Sequence, residues 1–101
     1  MWIGHLEGWL SIVKHRVEDG TLLVRSRDAY HIAHLWPYAH IEHTPDADYQ
    51  YRSVISAEEV AEVVADQVIN IGYDNFKANV TESRLSNAFS QVWVTMLRWF
   101  N

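Results

Sequence analysis

Ser56-Ala57-Glu58-Glu59 is the string that most restricts how this chain can fold. It is a capping box: the Ser56 hydroxyl accepts from the amide three residues on, and the Glu59 side chain reaches back to the cap. Directly before it, Tyr49 to Ile55 is rich in aromatic and β-branched residues and reads as a strand. Directly after it, Val60, Val63, Val64, Gln67, Val68 and Ile71 share one helical face, and Gly72 suits the left-handed position past the last turn. A strand that runs straight into a capped helix points to folds that layer helices on a sheet.

The same pattern occurs earlier in the chain. Gly8 to Arg16 and Thr21 to Arg27 read as strands around the turn signal Glu18-Asp19-Gly20. Asp28 then caps a helix carrying Ala29, Ile32, Ala33 and Trp36, which Pro37 stops. Ala39 to Thr44 reads as a short strand, and Pro45-Asp46-Ala47-Asp48 as a turn. Tyr73 to Val80 is a loop or a single turn, and Thr81 or Ser83 caps a last helix. The expected fold is α+β: an antiparallel four-stranded sheet in the order ββαββα plus a C-terminal helix, with the helices on one face. The other face is expected to be partly solvated.

A chain of 101 residues accommodates one domain, here spanning 1–101. Its 49% hydrophobic and 21% charged residues suit a folded chain, and thirteen aromatics supply its core. The formal net charge of −5 counts against binding nucleic acid by overall basic charge. No apolar run reaches the ~20 residues of a membrane helix, and the start lacks the pattern of a signal peptide. No cysteine is present, which removes disulfides and thiolate chemistry. The expectation is a cytoplasmic domain with no membrane association.

Four groups of residues are candidates for chemistry. The basic set Lys14, Arg16, Arg25, Arg27 and Arg52, with His15 and Tyr49 nearby, can hold phosphate, stacked bases or an acidic partner. Asp46 and Asp48 can act as acid and base, ligate a cation, or cap their own turn. Two hairpins of one sheet are expected to bring His15, Arg16, Asp46, Asp48 and Arg52 together. Lys77, in Asp74-Asn75-Phe76-Lys77, can reach a ligand. The histidine pairs His31/His34 and His40/His43 match no specific metal motif, so no metal or cofactor is implied. The last helix carries Leu85, Phe89, Val92, Trp93, Met96, Leu97 and Phe100 as an apolar stripe, with Val94 and Trp99 lying off it. So broad an apolar surface predicts a homodimer through Trp93, Met96, Trp99 and Phe100.

No catalytic nucleophile motif, phosphate-binding glycine loop or dinucleotide fingerprint occurs, so no catalytic residue is assigned. Three strings, Gly8-Trp9-Leu10-Ser11-Ile12-Val13-Lys14-His15-Arg16, Thr44-Pro45-Asp46-Ala47-Asp48-Tyr49-Gln50-Tyr51-Arg52 and Tyr73-Asp74-Asn75-Phe76-Lys77, resemble a family of small uncharacterised proteins of actinobacteria and their bacteriophages. The resemblance implies a phage accessory protein in the host cytoplasm. Its expected action is binding a host or phage protein and so modulating a host or defence process. The alternative is a small enzyme or a nucleotide- or nucleic-acid-binding domain built on the His/Arg/Asp cluster. Convergence of those side chains in one cleft would favour the alternative, and scatter would favour the first.

Overall fold

The computed structural model describes all 101 residues, in two compact units, Met1–Ile71 and Gly72–Asn101. The first unit is α+β. Its strands are β1 (Trp2–His5), β2 (Gly8–Lys14), β3 (Thr21–Ser26), β4 (Glu42–His43) and β5 (Tyr51–Ser56), and its helices are α1 (Ala29–Ala33) and α2 (Ala57–Ile69). The sheet is antiparallel throughout, in the order β1-β2-β3-β5-β4.

It therefore has five strands, not four. The additional strand is β1, four residues interrupted by Gly4, too short to show an alternating pattern. Its register with β2 pairs Ile3 with Leu10, and the Met1 ammonium donates to the Ile12 carbonyl at 2.8 Å. The strand expected over residues 39–44 shrinks to Glu42–His43, because the chain before it turns around Trp36, whose carbonyl accepts from Ala39 N at 3.0 Å.

Alternation sorts each strand into two faces. Leu10, Ile12, Val24 and Ile55 lie on one, beneath Ile32, Leu35 and Trp36 of the α1 segment and Val60 of α2, and together they form the core. Gly8 is needed on that face, since a Cβ there would sit 2.6 Å from His31 Cβ on α1. Gly20 takes φ 74° in the β2–β3 turn, a left-handed conformation that a side chain disfavours.

Both capped helix starts form. Asp28 accepts from Tyr30 N at 2.9 Å, and Ser56 accepts from Glu59 N at 3.2 Å. Ser56→Ala removes the second bond and is expected to lower the unfolding free energy by about 1 kcal/mol, as read by urea denaturation. Helix α2 ends earlier than the apolar periodicity suggests. Asn70 closes it, its side-chain amide donating to the Asp66 carbonyl at 2.9 Å, and Gly72 is not left-handed. Only the first half of the expected face packs: Val60 is buried, Val63 and Val64 are half-buried, and Val68 and Ile71 are exposed.

The second unit holds a single 3-10 turn, Lys77–Asn79, and the long helix α3, Ser83–Phe100. Glu82, rather than Thr81 or Ser83, caps α3. Its carboxylate accepts from Leu85 N at 2.6 Å, where the longer side chain also takes advantage of the helix's positive end. Phe76 packs on Phe89 with ring centroids 4.9 Å apart, and Leu85, Phe89 and Val80 are buried. No helix is long and apolar enough to cross a membrane.

Candidate functional site

The face of the sheet opposite the core carries the chemistry. Antiparallel register places Trp2, Ser11, Arg25, Arg52 and Glu42 in one row across all five strands. The next row contains Val13, Leu23 and Val54. Five of the chain's eight Lys and Arg residues lie on or beside these strands, while α2 carries Glu58, Glu59, Glu62 and Asp66 and no cation. The net charge of −5 thus conceals a basic sheet face and an acidic helix.

A groove of about 630 Å³ runs over this face. Arg25 and Arg52 line it, together with Lys14 at the end of β2, His15 and Arg16 of the β2–β3 turn, and His40 and Glu42. The aliphatic row of Val13, Leu23 and Val54 lines it as well. His15 is held by its own turn: its Nδ1 accepts from Glu18 N at 3.3 Å and lies 3.2 Å from the Thr21 hydroxyl.

Arg25 and Arg52 stand directly opposite one another on β3 and β5. Like charges in that position oppose pairing of the strands. Arg25 Nη2 donates to Ser11 Oγ at 2.7 Å and Arg52 Nε donates to the Tyr49 carbonyl at 3.3 Å, which fixes both guanidiniums without neutralising them. Arg25 Nε is buried with no hydrogen-bond partner. A fixed cation pair with an unsatisfied buried donor is an arrangement that an anionic group would complete.

The remaining candidates distribute as follows. Arg27 donates to Asp48 at 3.0 Å, and that hydrogen bond raises its already high pKa. Both partners are well exposed, so the pair adds ~1 kcal/mol at most to stability. The Arg27 and Arg25 guanidiniums lie 4.2 and 5.0 Å from the centroid of the buried Tyr49 ring, so Tyr49 orients both. Asp48 serves Arg27 and does not line the groove. Asp46 is exposed in the turn, where Ala47 N donates to the Thr44 carbonyl at 3.1 Å. Lys77 belongs to the second unit, its ammonium 5.1 Å from the Trp93 ring centroid.

His15, Arg16, Arg25 and Arg52 therefore share one groove while Asp46, Asp48 and Lys77 lie outside it, so the expected His/Arg/Asp cluster converges only in part. Sequence reasoning did not single out His40, Glu42 or the aliphatic row as lining. The available signal was Val13 and Leu23 themselves, apolar residues that alternate with the core residues Ile12 and Val24 and so fall on the opposite face. No protein-family model, no curated protein and no solved structure matches this chain.

Proposed function

We propose that this protein is a binding module rather than an enzyme, a small accessory protein of the phage type that acts by protein–protein interaction on a host or phage partner. The sheet groove receives an acidic, amphipathic segment of that partner and thereby modulates the process the partner serves. The observation that carries this reading is the pairing of two rows in one groove: cations from Arg25 and Arg52, and aliphatic side chains from Val13, Leu23 and Val54. Carboxylates of the partner meet the first row and its apolar side chains cover the second. Glu42 at the rim is the sole acidic residue lining the groove, which leaves no carboxylate pair for acid–base work.

A second reading has its own support. Trp2 and Trp9 pair at 5.7 Å on the same face, where the bases of a single strand can stack, and the guanidiniums of Arg25 and Arg27, held over the buried Tyr49 ring, can meet its phosphates. The aliphatic rather than aromatic lining of the groove, and the acidic total charge, favour the protein partner.

Fluorescence anisotropy separates the two. The probes are a labelled peptide of alternating Glu and Leu, its Lys-for-Glu counterpart, and labelled oligothymidylate. The Glu peptide should bind, the Lys peptide should not, and Arg16→Glu/Arg52→Glu should weaken binding at least about tenfold, or about 1.4 kcal/mol. Tighter, steeply salt-dependent binding of oligothymidylate would transfer the face to nucleic acid.

A further inference from the structure

The outer half of α3 is apolar and uncovered. Val92, Trp93, Met96, Leu97, Trp99 and Phe100 are all exposed, Trp99 by 76% and Phe100 by 79%. At 3.6 residues per turn these six side chains fall within an arc of roughly 160°. Trp99 thus joins the stripe, two turns after Val92, instead of lying off it, and Val94 alone projects from the far side. Nearer the start of the helix the same stripe is occupied, since Leu85 and Phe89 are buried and Phe76 packs on Phe89.

We propose that a second copy of this chain covers residues 92–100 of α3, giving a two-fold homodimer. This goes beyond the groove and does not depend on it. An aromatic side chain presents about 150–250 Å², so at their observed exposures the six residues leave roughly 700 Å² of apolar surface in water. That exceeds the roughly 300–600 Å² of the largest patch on a typical monomer. Self-pairing buries roughly 1,400 Å², within the size class of stable interfaces.

Charge selects the occupant. The stripe contains no ionisable side chain of α3, and the cation beside it is a single Lys77, whose ammonium lies 5.1 Å from the Trp93 ring centroid. A membrane-surface helix carries Lys and Arg along its polar face. Here that face is mostly Ser, Asn, Gln and Thr, with Arg84 and Arg98 the only charges of α3, on a chain of net charge −5.

Met96 lies near the middle of the arc. Antiparallel pairing about it sets Val92 against Phe100 and Trp93 against Trp99 of the other copy, with Met96 meeting its own equivalent at the two-fold axis.

The chain has no cysteine, so a single introduced thiol can cross-link only to another copy. Under mild oxidation Met96→Cys should give a covalent dimer at twice 11.8 kDa, and Val94→Cys should not. Sedimentation equilibrium of the unmodified chain at micromolar concentration should show a dimer, and Trp99→Glu a monomer with unchanged far-ultraviolet circular dichroism. A native mass of 11.8 kDa independent of concentration would overturn the proposal. So would a monomer in solution that sediments with phosphatidylserine–phosphatidylcholine vesicles, and so would equal cross-linking at positions 94 and 96.

Discussion

Gly8→Ala is expected to lower the unfolding free energy by about 3 kcal/mol, at the upper end of what overpacking a core costs. The added Cβ would stand 2.6 Å from His31 Cβ, 2.7 Å from Cγ and 2.9 Å from Cα. The nearest atoms belong to the backbone and the root of a side chain, so no rotamer change can make room. α1 would have to lift from β2. That movement would also lengthen the 3.3 Å hydrogen bond from Trp9 N to His31 Nδ1 and withdraw Ile32, which is fully buried, from the core. Urea denaturation of the variant measures the effect. A loss below about 0.5 kcal/mol, the size of an ordinary surface substitution, would mean that α1 does not rest on β2 this closely.

The second large effect is with acid. Burial pushes the His5 imidazole from 6.5 down to about 4. The His31 backbone opposes the shift, although Nε2 is buried without a hydrogen-bond partner, and the neighbouring imidazoles of His34 and His31 add to it. The neutral ring is tied in place, with Nδ1 accepting from Glu7 N at 3.2 Å and the ring stacked 6.1 Å from His34. The folded pKa lies below the unfolded one, so between those two values the unfolded chain binds more protons. Stability is complete above pH 6.5, falls as pH drops through that window, and reaches its full loss below about pH 4. Allowing for partial solvent access to the ring, the loss attributable to His5 is about 2 kcal/mol. His5→Asn retains a hydrogen-bond acceptor and removes the titration. Its denaturation midpoint should fall less steeply with acid than that of the unmodified chain. Parallel pH profiles would show that His5 is not buried as a neutral group.

Much of the architecture was legible because local chemistry and burial agreed. Asp28 and Ser56 are short polar side chains placed just before apolar helical periodicity, and both cap as expected. Where long-range packing decides, local rules lost information. β1 is held by its pairing with β2, which no four-residue window reveals. The apolar face of α2 continues to Ile71 in sequence, yet the helix closes at Asn70, whose backbone and side-chain amides both donate to the Asp66 carbonyl while Ile71 N turns to the Val68 carbonyl.

The site was half legible for the same reason. Arg16, Arg25 and Arg52 were visible as cations on strands, but only the register of β3 with β5 places Arg25 and Arg52 face to face. Asp46 and Asp48 lie close to Arg52 in sequence. The turn holds them away, and Arg27 engages Asp48.

An acidic, amphipathic protein segment seated in the open sheet groove should be visible in a ¹⁵N-HSQC titration of the unmodified chain with the Glu/Leu peptide. Amide shifts are expected to concentrate at Val13 to Arg16, Leu23, Arg25 and Arg52 to Val54, and to vanish in the Arg16→Glu/Arg52→Glu variant. Saturable shifts confined to α2 or to residues 83–100, or none at millimolar peptide, would contradict it.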